Sequence, residues 1–162
     1  MRIENREFGA IDVGEDALIR IVGGLIGFEG CERYVLFGTE TSDPFLWLLS
    51  VDDPDLMFSV LDPEPFLREA YDVALSEGDR EALDLHPDDP VEVYALVSPP
   101  ERQGRITMNL KGPLIVNPRN RTAKQLVAYS AKQPLRLPIA PPVVIGARSG
   151  RTVVRITDRR AA

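Results

Sequence analysis

Turn signals break this chain so often that long helices have nowhere to form. Between Gly23 and Pro100 alone lie Gly23-Gly24, Asp52-Asp53-Pro54-Asp55, Asp62-Pro63-Glu64-Pro65, Pro87-Asp88-Asp89-Pro90 and Pro99-Pro100. Each sits between apolar runs of strand length. Proline removes a backbone donor, and aspartate and glycine accept tight turns, so these clusters end elements rather than continue them. Short strands joined by frequent turns predict an all-β sandwich or barrel. A parallel α/β sheet needs crossover helices of about a dozen residues, and only segment 64–85 is a candidate to supply one.

The strands are read from periodicity. Arg105 to Lys111 alternates polar and apolar residues strictly, the signature of a half-buried strand. Ile11 and Val13 share a face, as do Ile19 and Ile21. Tyr34–Phe37 and Phe45–Leu49 are continuous apolar runs, expected in strands buried on both sides. Phe58 with Val60, then Val91 to Val97, Leu114 to Val116 and Gln125 to Tyr129 complete the set, with Asn109 and Asn117 expected to flank a strand turn. Segment 64–85 is ambiguous. Phe66, Leu67, Ala70, Tyr71, Ala74 and Leu75 recur at helical spacing, while Tyr71, Val73 and Leu75 alternate. The reading adopted is a strand near 70–75 and a short helix near 77–84, because Ser76-Glu77-Gly78-Asp79 offers an N-cap with an acid three residues on.

After Tyr129 the chain turns proline-dense through Gln133 to Pro142 and reads as an extended connector. Val143 to Arg148 and Arg151 to Thr157 then flank Ser149-Gly150 as a plausible hairpin, expected either to add to the barrel edge or to mimic a partner's strand on the acidic surface. The expected organisation is a single domain over 1–137 and a connector with a basic hairpin over 138–162.

Charge is divided unevenly. Residues 1–100 hold 6 Lys+Arg against 23 Asp+Glu, a balance of −17, and residues 101–162 hold 13 against 2, a balance of +11. Either the halves form opposite faces, or they interleave and neutralise each other locally. An acidic face suits a basic protein and repels nucleic acid.

Catalytic chemistry is hard to find. His86, the sole histidine, sits in a loop without a second histidine or a cysteine nearby. Cys31, the sole cysteine, reads as a buried structural thiol, and no intrachain disulfide can form. Asp52, Asp53 and Asp55 do not have calcium-loop spacing, and Pro54 interrupts them. Gly23-Gly24-Leu25-Ile26-Gly27 lacks the spacing of a phosphate loop. The expectation is a non-enzymatic protein without cofactor or metal. No apolar run is long enough to span a bilayer and no secretory h-region follows Met1, so a cytoplasmic protein is expected.

Four blocks carry a family resemblance: Gly24-Leu25-Ile26-Gly27-Phe28-Glu29 with the strand Arg33–Leu36; Pro44 to Ser50 running to Phe58-Ser59-Val60; Thr107 to Asn117; and Ala123 to Val127. In this order and spacing the chain resembles the flagellar assembly factor FliW family over residues 2–137. Leu49 departs from the pattern, which has a polar residue there. The resemblance implies an all-β, mainly antiparallel, small β-barrel-like domain with one short helix and no catalytic activity. It also implies binding to the translational regulator CsrA, a small basic RNA-binding protein, relieving its repression of flagellin mRNA, and binding to flagellin, which competes. Acidity and loop position nominate Asp52, Asp53, Asp55, Glu64, Glu69 and Asp72 for partner contact, with Asn109 and Lys111 beside them. A monomer is expected.

Two rival readings remain. A nucleic-acid-binding barrel would use Arg105, Lys111, Arg119, Arg121 and Lys124, but Tyr129 is the one aromatic residue in 101–162 that could stack on bases. A small hydrolase would need His86 or an aspartate pair inside a closed pocket.

Overall fold

The computed structural model describes residues 1–39, 41–100, 104–127 and 133–139, together with the backbone of 154–156. The described chain is almost entirely strands and turns. An N-terminal hairpin pairs β1 (Arg2–Asn5) with β2 (Gly9–Asp12). The barrel strands follow: β3 (Leu18–Ile21), β4 (Arg33–Thr39), β5 (Leu46–Ser50), β6 (Met57–Leu61), β7 (Glu92–Ser98), β8 (Thr107–Asn117) and β9 (Thr122–Gln125). They run in a continuous antiparallel ladder from β3 to β8, and β9 closes the ring by pairing antiparallel with β8 and parallel with β3. Closure leaves the seven strands without an open edge along most of their length. Two short strands add to the outside: β10 (Leu137–Pro138) on β8 and β11 (Val154–Ile156) on β4.

The continuous apolar runs are explained by burial on both faces. Inside the barrel, Ile19, Ile21, Tyr34, Leu36, Leu46, Leu48, Tyr94, Leu114 and Val116 form one cluster. On the outer face, Val35, Phe37 and Leu49 are covered by the N-terminal hairpin through Ile3, Phe8 and Ile11. Phe8 meets Phe37 edge-on at 5.2 Å. The hairpin has a loop-capping signal, because Asn5 Oδ1 accepts from the Glu7 and Phe8 amides. Leu49, the departure from the family pattern, is one of the residues this hairpin buries.

The β6–β7 connection carries the helix α1 (Glu77–Ala82). Ser76 and Asp79 form the expected capping box, each side chain bonding the other's amide. The helix ends at Ala82, two residues sooner than expected, and Asp84, with φ of +50°, has left the helical region. The strand expected near 70–75 does not form. That stretch pairs with no ladder; Tyr71, Val73 and Leu75 lean against the barrel, and the Tyr71 hydroxyl donates to the Leu110 carbonyl at 2.6 Å. Side-chain alternation was real, and its cause is packing on the sheet without ladder pairing.

Leu114–Val116 is not a separate strand either. β8 runs unbroken for 11 residues. Its pairing with β7 jumps from Leu96↔Asn109 to Tyr94↔Leu114, so residues between bulge outward. Pro113 has no amide to give a ladder there, and Asn109 Oδ1 accepts from the Lys111 and Gly112 amides in its place. Asn109 therefore does not flank a turn. Asn117, at the far end, donates to the Leu83 and Asp84 carbonyls and fastens the end of α1. β9 covers Thr122–Gln125 and starts earlier than the expected Gln125–Tyr129. Tyr129, the proline-rich 140–142 and the expected hairpin lie outside the described residues, apart from 154–156.

The two charge halves interleave. Lys124 meets Asp79 at 2.6 Å, and Arg119 lies 3.3 Å from Asp84 and 3.7 Å from Asp89. Cations from the basic third thus neutralise anions from the acidic two-thirds.

Candidate protein-docking surface

The β3–β4 connection, residues 22–32, is a loop whose shape is set by glycine. Gly23, Gly24 and Gly27 have φ of +75°, +72° and +91°. At Gly24 a Cβ would lie 2.7 Å from the Phe28 carbonyl oxygen and 2.8 Å from that of Cys31, so the loop closes on itself there. Leu25 plugs the barrel interior. Ile26 and Phe28, on either side of Gly27, face outward with 57% and 42% of their surfaces exposed.

Phe28 is held by its ring and Ile26 by its backbone. Phe28 stacks edge-on against Phe58 of β6 at 5.1 Å. The Ile26 amide donates to Gln125 Oε1 at 2.8 Å, and Gln125 Nε2 donates to the Gly112 carbonyl at 3.1 Å. Gly112 leaves room for this: a Cβ would lie 2.9 Å from Gln125 Nε2 and 3.2 Å from Asn109 Nδ2. A polar chain thus links Asn109, the β8 bulge, Gln125 and the loop. Val127, just past β9, is 51% exposed. A fixed apolar prominence of this kind marks an interaction surface more often than a scattered surface residue does.

Carboxylates flank the prominence. Glu29 accepts from the Gly27 amide, which holds its carboxyl below the usual range. Glu32 accepts from the Gly23 amide. Asp52 accepts from the Arg33 and Glu32 amides and from the Arg33 guanidinium. The Arg33 amide bond, opposed by burial and helped by the guanidinium, lowers its pKa. Arg20, Arg33 and Arg6 pair with Glu32, Asp52 and Asp55. Glu29 and Asp53 have no ion-pair partner among the described residues, so the rim keeps a negative excess. Beneath it, Tyr34 is fully buried and its hydroxyl has no hydrogen-bond partner among the described residues.

The nominated residues divide into two groups. Asp52, Asp53 and Asp55 lie in the β5–β6 turn, tied to the loop through Asp52 and to the N-terminal hairpin through Asn5 Nδ2, which donates to the Pro54 carbonyl. Asn109 reaches the loop through Gly112 and Gln125, and Lys111 sits exposed on the same bulge. Glu64, Glu69 and Asp72 ride on the β6–β7 connection and are not part of the loop. Ile26 and Phe28 escaped nomination because apolar residues between strands read as core. The signal available was the trio of glycines around them.

His86 is exposed in its loop, its amide donating to Asp89. Cys31 is half-buried against the interior cluster. No group of three metal-ligating side chains converges among the described residues, and none of their helices is long and apolar enough to cross a membrane. Of the cations a nucleic-acid groove would need, Arg119 and Lys124 are paired with acids, and Arg121 donates to the Ala17 carbonyl.

Residues 2–139 match the sequence model described as FliW protein. The flagellar assembly factor FliW of Natranaerobius thermophilus is 41% identical over 140 residues, spanning 83% of this chain and 92% of the relative. That of Ruminiclostridium cellulolyticum is 38% identical over 128 residues, spanning 78% and 86%. A crystal structure of the flagellar assembly factor FliW shares the fold at a TM-score of 0.75 and 24% identity, covering 85% of this chain and 96% of that one.

Proposed function

The chain belongs to the FliW family, and from that we propose that it is a cytoplasmic, non-enzymatic flagellar assembly factor that works by binding other proteins. It binds CsrA and so relieves repression of flagellin mRNA, and it binds flagellin, which competes with CsrA for it. The observation that supports this best is the apolar prominence of Ile26 and Phe28 with the carboxylates of Glu29 and Asp53, which have no ion-pair partner among the described residues. A basic protein surface with an apolar patch is complementary to it in both respects. The nucleic-acid reading loses ground in the fold, since Arg119 and Lys124 are paired with acids and Arg121 donates to the Ala17 carbonyl.

Titration calorimetry with the CsrA and the flagellin of the same bacterium tests the proposal. Binding of each alone, and displacement of CsrA when flagellin is added, is the expected result. Failure to bind either would refute it.

A further inference from the structure

Closure of the barrel leaves one stretch of edge uncovered by the barrel strands. β3 follows β4 only as far as Leu18↔Val35, where its chain turns away. β4 continues to Thr39. Phe37 has Trp47 of β5 on one side, and on the other it has Val154 of β11. The pairing is parallel and in register: Val154↔Phe37, Arg155↔Gly38, Ile156↔Thr39. Among the described residues, β11 is the one strand that lies beyond the 2–139 span matching the family. A strand beyond the matching span therefore fills a gap in this chain's barrel.

The appendage is also electrostatically distinct. Residues 140–162 hold five arginines against one aspartate, a balance of +4, and residues 1–139 hold 14 Lys+Arg against 24 Asp+Glu, a balance of −10. A basic strand is drawn to an acidic body, and an uncovered strand edge offers main-chain donors and acceptors to any extended segment.

We propose that the edge of β4 at Phe37–Thr39 is a docking site for a basic, aliphatic extended strand of a partner protein, held in cis by the chain's own Val154–Ile156. Fourteen residues, 140–153, tether β11 to the last described residue of the body, Ile139. A tether of that length keeps the strand at an effective concentration of order millimolar. An incoming strand must displace it, so the tail sets a threshold for binding. The site follows from the strand pairing alone and does not depend on which partner the protein serves.

The probe is a fluorescein-labelled peptide with the sequence of residues 151–160, titrated into the full-length chain and into full-length Val154→Pro/Ile156→Pro. Proline removes ladder donors and keeps the tail off the edge. The variant is expected to bind the peptide about tenfold or more tightly than the wild type, by the loss of a millimolar internal competitor. Amide exchange at Gly38 is expected to quicken in the variant and slow again with peptide, while Thr39, whose amide donates to Ser42 Oγ, keeps its rate. Arg155→Pro, whose amide points to the opposite side of the strand from those of 154 and 156, is expected to raise the peptide affinity less. Equal peptide affinity in wild type and Val154→Pro/Ile156→Pro, with exchange at Gly38 unchanged, would overturn the proposal.

Discussion

The Lys124 ammonium lies 2.6 Å from Asp79 Oδ1, joining the strand that closes the barrel to the helix that packs beside it. Asp79 also caps α1 through Ser76. Burial alone would raise the Asp79 carboxyl, but the Lys124 hydrogen bond, the Ser76 bonds and the ammonium's charge together hold it below its ordinary value. Lys124→Met is expected to cost about 1–2 kcal/mol, between exposed and buried ion pairs. Asp79→Ala loses the cap as well and is expected to cost about 1 kcal/mol more. Because the folded pKa is depressed, the pair stabilises above the unfolded value of about 3.9 and is lost as pH falls through the folded one. Urea unfolding of wild type and Lys124→Met should differ at pH 7, and the difference should shrink as pH falls below about 3.9.

Gly24 and Gly27 share a positive φ but differ in surroundings. A Cβ at Gly24 collides with backbone atoms at 2.7–2.8 Å, and one at Gly27 meets nothing within 4 Å. Gly27→Ala is expected to cost about 1–2 kcal/mol, the conformational penalty alone. Gly24→Ala adds displacement of the loop and is expected to cost at least twice as much. Thermal unfolding of the two variants checks the order; equal melting temperatures would contradict it.

Tyr34 is buried and its hydroxyl has no partner among the described residues, an arrangement that costs about 1–3 kcal/mol. Tyr34→Phe is expected to leave stability unchanged or raise it by about 1 kcal/mol, read as a shift in the urea midpoint. A loss of more than about 1 kcal/mol would mean the hydroxyl has a partner. Burial, with smaller contributions from Cys31, Asp52 and Asp53, pushes the phenol up to about 12. The folded chain thus keeps a proton that the unfolded chain releases near pH 10. Stability is full below that pH and falls as pH rises toward 12, less steeply in Tyr34→Phe.

The strands and turns were legible because period-two patterning and proline-aspartate breaks act locally. Ser76 with Asp79 announced the helix for the same reason. The 70–75 error has the opposite origin: Tyr71, Val73 and Leu75 alternate because they pack on the barrel, and whether a ladder partner exists depends on closure far away in sequence. The bulge that keeps β8 whole depends on Asn109 serving two amides, which no pattern displays. The N-terminal hairpin escaped as a unit for want of a glycine-rich turn; Asn5 supplies the cap. Of the candidate surface, Asp52, Asp53 and Asp55 drew notice by their acidity, whereas Glu29, Glu32, Ile26 and Phe28 did not, since the exposure of Ile26 and Phe28 is a property of the folded loop.

Ile26→Ser tests the central claim most directly. More than half of the Ile26 side chain is exposed, its amide bond to Gln125 does not need the side chain, and the melting temperature should stay within about 2 °C of wild type. In calorimetric titrations with CsrA, the account predicts that the variant binds about 30-fold more weakly, the effect of losing a central apolar anchor. Affinity equal to wild type in a fully folded variant would contradict it and move the docking surface elsewhere on the barrel.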